Sequence, residues 1–445
     1  MSITSPQHRA HRTGSVWPLG PWRHRLDPIE FDVALYAASA LFALASGLRS
    51  TIPLYREWGQ MACGPYLLAT AAAIILVVRS RRRDVTVLRW CLVVVVLTGT
   101  VLVPLAVEVS WRASSPGAGS HVQPEVVVVE RAASAISGGH DPYQAMVVDG
   151  HLTGAALGLP AYESFFPYLP AMTVFGLPST LSVGHRATDA RIYFLLATLL
   201  AVALALRLAD ATSERKLRAF QVVAALPWAA LTLVTGGDDL PIIGLLMLAL
   251  VLAKRARPGW AGVVLGIAMA MKFTAWPLAA LALFAAVDHD ARRRPLRMLA
   301  GIVGAAAPLT LWAIVVGPRR FLANVVLFPL GISGVESPAG SALPGHIFVS
   351  IVPSMHRIFP VVAAVIGLMV LVVYLRRRPP LGAVAVARLA GWVLFIAILL
   401  APATRVGYLM YPLNLLVWSW MLSEAADDAH ESAALNGVDH APSEA

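Results

Sequence analysis

The stretch GVVLGIAMAMKFTAWPLAALAL, residues 262–283, carries one charge, Lys272, in 22 residues. About 20 apolar residues at roughly 1.5 Å each cross the hydrocarbon core of a bilayer as a helix. The Phe-Thr-Ala-Trp-Pro that follows Lys272 predicts a bend, so the run 260–287 is read as two short limbs. A lone cation in such a run is costly and marks a functional position by default. The competing reading is a lysine that snorkels from the bend while its stem stays in the apolar layer.

The same pattern repeats on both sides. Apolar spans are read at about 31–48, 62–78, 89–110, 189–208, 218–235, 239–253, 296–316, 346–375, 385–401 and 405–421. Of the 445 residues, 58% are hydrophobic and 13% charged, and the mean hydropathy is +0.70. A soluble domain is about 45–50% apolar and about 25% charged, so soluble enzymes, secreted disulfide scaffolds and disordered chains are excluded. The expected class is an all-α polytopic membrane protein of about 11–13 transmembrane helices, multi-pass in the inner or plasma membrane.

The formal charge is +10, but only three of the 35 basic residues are lysines (Lys216, Lys254, Lys272), leaving 32 arginines. Many of these sit in blocks beside apolar runs, as at Arg79 to Arg83, Arg292 to Arg294 and Arg376 to Arg378. That is the positive-inside pattern, so the basicity reports topology and anionic headgroups rather than nucleic acid. Connections 79–89, 207–218, 254–258, 288–297 and 376–388 are therefore expected in the cytoplasm. The opposite face receives 49–61, 111–164, 235–239, the bend at Lys272, 317–345 and 402–405. Residues 1–30 have no apolar h-region, so no cleavable signal is expected and the first span acts as the insertion signal. The main body is read as 31–422, followed by an acidic, disordered cytoplasmic tail at 423–445. Cys63 and Cys91 define neither a disulfide framework nor a metal site.

Residues 165–181, FFPYLPAMTVFGLPSTL, break the parity because they are apolar yet contain Pro167, Pro170 and Pro178. Either they form a re-entrant or interfacial element buried in protein, or the side assigned to 207–218 is wrong.

The long outer loop 111–164 is where a site is expected, because function concentrates on structured loops held by a rigid scaffold. Its GGHDPY segment (138–143) presents Asp141 on a bend, either as a general base or as an ordinary turn former. Arg405, in PATRVGYLMYP, opens the last span against the positive-inside bias. It either holds a phosphate through its guanidinium fork or anchors the interface beside Tyr408 and Tyr411. Asp238 and Asp239 in TGGDDLPIIG bind a sugar, a metal or a basic partner, or cap a helix N-terminus. Tyr168, in FFPYLP, lines a lipid or sugar groove or belongs to the aromatic belt. His140, His151 and His346 show no metal-ligand spacing. No nucleotide-binding or zinc-protease motif is present.

In this order, GGHDPY (138–143), FPYLP (166–170), GGDD (236–239), AGVVLGIAMAMKFTAWP (261–277) and RVGYLMYP (405–412) resemble the GT-C membrane glycosyltransferases. More specifically they resemble glycosyltransferase family 87, the polyprenol-phosphate-mannose-dependent group of actinobacteria. The resemblance covers roughly residues 90–420. It implies a GT-C-like bundle whose extracytoplasmic loop bears short helices. It implies transfer of a sugar, mannose first, with arabinose or glucose behind it. The donor would be a polyprenyl-phosphate sugar and the acceptor a lipid or cell-envelope glycan at the outer face, with inversion. An acidic residue of the first long outer loop would be the base, which maps onto Asp141, and Lys272 and Arg405 would hold the donor phosphate. His140, Tyr143, Tyr168, Asp238 and Asp239 would contact substrate. No cofactor is implied; a divalent metal is compatible but not required. In the simple GT-C layout the catalytic loop follows the first helix, whereas here it follows the third span, which leaves Glu57 in 49–61 as a rival base. Glu130 and Glu163 are further carboxylates of the loop. A transporter or flippase of a lipid-linked precursor is the alternative, although no internal repeat supports it.

Overall fold

The structure is a computed structural model that describes residues 28–80, 84–115, 121–143, 147–148, 151–152, 160–181, 185–286, 293–329, 333, 335, 338–355, 358–376 and 382–423. Most of the N-terminal segment and nearly all of the acidic tail lie outside the described residues.

The helices are α1 (Pro28–Arg49), α2 (Pro53–Ser80), α3 (Thr86–Ser114) and α4 (Pro124–Ser137). They continue with α5 (Ala190–Leu208), α6 (Ser213–Phe220), α7 (Pro227–Thr235) and α8 (Asp239–Lys254). After these come α9 (Pro258–Met269), α10 (Trp276–Ala285), α11 (Arg293–Val316) and α12 (Pro344–Ile351). The chain closes with α13 (Ile358–Arg376), α14 (Ala383–Leu400) and α15 (Met410–Leu422). The only sheet among the described residues is a two-residue antiparallel pairing of Val147 with Leu152 and Val148 with His151.

The chain is thus an all-α polytopic membrane protein. Among the described residues seven helices are long and apolar enough to cross a bilayer, or eight if the bent run from Ser213 to Thr235 is one span. Shorter apolar helices, Pro258–Met269, Phe273–Ala285 and Val406–Leu422, stand beside these long ones. The break at Lys272 and the Gly-Asp-Asp turn divide the apolar runs into shorter helices, such as α9 and α10. The membrane-facing surface is visible on α13, where none of the residues is buried. Elsewhere helices approach closely over glycines: a Cβ on Gly59 of α2 would lie 2.4 Å from the Gly47 nitrogen of α1. The π-helical steps at Thr98–Leu102 and Gln221–Ala225 face α2, whose Trp58 indole donates to the Thr100 carbonyl and whose Tyr66 hydroxyl donates to the Ala225 carbonyl.

One end of the bundle is knotted by charge. Asp32 of α1 accepts from Arg89 Nε at 2.5 Å and from the Arg218 guanidinium, and Glu214 accepts from Arg89 at 3.0 Å. Arg255 donates to the Leu208 carbonyl at 2.9 Å, and Lys254 donates to the Leu422 carbonyl. Connections 79–89, 207–218 and 254–258 therefore share one end, the end expected in the cytoplasm. Segment 165–181 then cannot be a full span, and it is not: it runs extended into short 3₁₀ turns at Pro170–Phe175 and Leu177–Thr180. Its backbone is satisfied by protein, with Leu169 N–H donating to the Met271 carbonyl at 3.0 Å and Ala171 N–H to the Ala270 carbonyl at 3.1 Å.

Asp32 is 1% exposed between two guanidinium groups. Asp32→Asn removes the anion and leaves both buried cations undercompensated, which costs about 3–5 kcal/mol. A thermal unfolding curve of the purified variant in detergent is expected to shift downward by several degrees or more.

Candidate functional site

The end opposite the Asp32 cluster holds a cavity of about 1020 Å³, bordered by Tyr55, Glu57, His121, Glu125, Tyr168, Lys272 and Arg405 among others. A smaller one of about 250 Å³ adjoins it, sharing Glu125, Tyr168, Lys272, Arg405 and Tyr408, and adds Phe165, Phe273 and Phe328 as apolar walls.

Lys272 sits in the break between α9 and α10 with extended backbone (φ −153°, ψ 141°). Its Nζ lies 2.8 Å from Asp238 Oδ2 and 2.6 Å from Asp239 Oδ1. The Tyr411 hydroxyl donates to the same Asp239 oxygen at 2.7 Å, and Thr274 Oγ1 donates to Tyr411 at 2.8 Å. The rings of Tyr168 and Tyr408 lie 5.2 and 5.4 Å from the ammonium, within cation–π range. Snorkelling is therefore not what holds Lys272. Nor does Asp238 cap α8, since its side chain makes no capping hydrogen bond. Gly237, at φ +88°, makes the turn that aims both aspartates inward, a backbone conformation that glycine adopts without strain.

Tyr168 is held over Lys272 by the extended FPYLP segment, which is hydrogen-bonded to the carbonyls of Ala270 and Met271. Arg405 is presented by a parallel bridge between Gly340 and Thr404, with Ser341 N–H donating to the Thr404 carbonyl at 2.9 Å. Its guanidinium pairs with Glu125 of α4, and the side chain remains 35% exposed to the cavity. Burial opposes the charge, yet the adjacent carboxylate raises the Arg405 pKa above its usual value. Glu125 keeps its second oxygen, Oε2, buried and without a hydrogen-bond partner.

Lys272, Arg405, Tyr168, Asp238 and Asp239 thus meet at one cavity. The other expected site residues do not. Asp141 borders neither cavity: its carboxylate accepts from the Tyr143 amide at 3.0 Å and lies 3.2 Å from Arg320 Nε. A base must reach the acceptor, so this buried seat does not support the role expected for Asp141. Tyr143 is 1% exposed and donates to the Tyr168 carbonyl at 2.8 Å, behind the cavity wall. His140 is exposed at the end of α4 and borders neither cavity. Glu130 is committed to Arg112 at 2.7 Å, whereas Glu163 borders the smaller cavity and has its pKa raised, chiefly by burial. Glu125 was missed in the sequence because it reads there only as an acidic residue in a helix first turn.

Removing Lys272 while keeping both aspartates is expected to unfold this corner. Lys272→Met leaves two buried carboxylates unpaired at a cost of about 3–5 kcal/mol. Adding Asp238→Asn and Asp239→Asn is expected to restore much of the lost thermal stability without restoring activity, as read by detergent melting curves beside a transfer assay.

Among known proteins, the model of Glycosyltransferase family 87 matches residues 166–422, more than half of the chain. The matched region includes Tyr168, Asp238, Asp239, Lys272 and Arg405, and it begins after Asp141 and Glu125. No curated protein and no solved structure matches significantly. The family match displaces the transporter or flippase alternative. With Lys272 and Arg405 facing one cavity in a polytopic membrane bundle, this chain belongs to glycosyltransferase family 87 and is a membrane glycosyltransferase.

Proposed function

We propose that the protein transfers a sugar, mannose first, from a polyprenyl-phosphate donor to a lipid or cell-envelope glycan at the extracytoplasmic face of the plasma membrane. The observation that carries this reading is the convergence of Lys272 and Arg405 on one cavity, each neutralised by carboxylates. A cation that faces a cavity beside a carboxylate suits phosphate, which offers charged oxygens to the same donors. The phenyl walls of Phe165, Phe273 and Phe328 suit the first isoprene units of the donor tail. Tyr168 and Tyr408 offer ring faces to the sugar.

In this account the donor phosphate takes Arg405 from Glu125 when it binds. Glu125, with its Oε2 already free of partners, then accepts the proton of the acceptor hydroxyl. The acceptor oxygen attacks the anomeric carbon, and the bond from that carbon to the phosphate oxygen breaks. The electron pair leaves on the phosphate, stabilised by Lys272 and Arg405. A single displacement inverts the anomeric centre. Glu125 lies in the first long outer loop, where the family resemblance puts an acidic base, and so replaces Asp141 in that role.

The test compares two neutral variants in purified protein supplied with labelled polyprenyl-phosphate-mannose and membrane lipids. Glu125→Gln is expected to lose about 10²–10⁴-fold in turnover with its melting curve near that of the parent. Asp141→Asn is expected to retain most of its turnover per folded molecule. The reverse ordering would return the base role to Asp141.

A further inference from the structure

At the far rim of the larger cavity, three side chains from three separate segments converge: Glu57 of α2, Glu108 of α3, and His121 just before α4. One ligand atom from each lies within 4.8 Å of the other two. His121 Nδ1 is 3.2 Å from Glu57 Oε2 and 3.4 Å from Glu108 Oε2. Glu108 is 0% exposed, and neither of its carboxylate oxygens has a hydrogen-bond partner. A carboxylate so placed requires a proton or a cation, because burial without either is costly. Arg191 is near enough to act on it electrostatically. The Arg191 donors, however, go to Asp189 and to the carbonyls of His121 and Val234. The His121 ring in turn can give its Nδ1 proton to one carboxylate at a time, and it is closer to Glu57.

We propose that Glu57, Glu108 and His121 form a binding site for a divalent transition-metal ion at the rim of the sugar-transfer cavity. Nitrogen and oxygen ligands sit about 2.0–2.2 Å from such an ion, which sets them about 3–3.5 Å apart. The two distances to His121 fall in that range. One imidazole with two carboxylates is a donor set for zinc or manganese rather than for magnesium, which favours oxygen and bound water. Two anionic ligands also balance the charge of a divalent ion. Three protein ligands leave coordination positions for water or a substrate oxygen, and Glu57 and His121 both border the cavity that Lys272 and Arg405 share. This site does not depend on the donor reading above, because binding is measured without substrate.

The purified full chain is stripped with chelator, then equilibrated separately with Zn²⁺ and with Mn²⁺ in excess Mg²⁺, and bound metal is counted by inductively coupled plasma mass spectrometry. Retention of about one equivalent of either ion per chain is expected. Glu108→Gln and His121→Ala should each weaken that retention at least tenfold, since each removes a ligand. Glu57→Gln, at the half-exposed rim, guards against a folding artefact and should weaken binding with an unchanged size-exclusion profile. Less than about a tenth of an equivalent of both ions in the parent would overturn the site, leaving a proton shared between Glu57 and Glu108. Undiminished binding in all three variants would overturn it equally.

Discussion

The ammonium of Lys272 between Asp238 and Asp239 is the interaction on which the cavity end of the molecule depends. A buried charge is tolerated only when it is paired and hydrogen-bonded. Meeting that requirement organises four chain segments at once. Gly237 turns the chain so that both aspartates point inward, and the break between α9 and α10 brings the lysine to them. The extended FPYLP segment is hydrogen-bonded to the same break and lays Tyr168 over the cation. Tyr411, from the first turn of α15, fixes Asp239 from the other side. Short helices, an extended segment and a glycine turn would be intolerable against lipid; here they border a cavity inside the protein.

The two ends of the bundle use charge differently. At one end Asp32 is closed in by Arg89 and Arg218, and the arrangement fastens the starts of α1 and α3 to α6. At the other, the ion pairs border open space, and Arg405 remains partly exposed beside Glu125. The first arrangement has nothing to do but hold helices together. The second leaves Lys272 and Arg405 facing a cavity, as the proposed phosphate-bearing donor would require. Family membership establishes sugar transfer.

Much of this was legible in the sequence, for identifiable reasons. Lys272 and Arg405 stand out because each is a cation where apolar composition or topology disfavours one, and the structure gives both a common cavity. Asp238 and Asp239 were visible as a pair, but whether they capped a helix or met a partner depended on Lys272, 33 residues away from Asp239. The prolines of the FFPYLP segment leave both a re-entrant element and a misassigned side for 207–218 open, and its extended run into short 3₁₀ turns decides for the first. Glu125 was invisible as a site residue, because its partner Arg405 is 280 residues distant and nothing local marks the contact. Asp141 was the opposite case. Its Gly-Gly and Pro flanks are conspicuous, yet they fold it against Arg320 and away from the cavity.

The account is tested most directly by supplying the purified protein with labelled mannose in two forms, on a polyprenyl phosphate and on a nucleotide, together with membrane lipids as acceptor. It predicts labelled product from the polyprenyl-phosphate donor alone, abolished when Arg405 is replaced by alanine in a protein that still folds. Transfer from the nucleotide sugar, or unchanged transfer without Arg405, would contradict it.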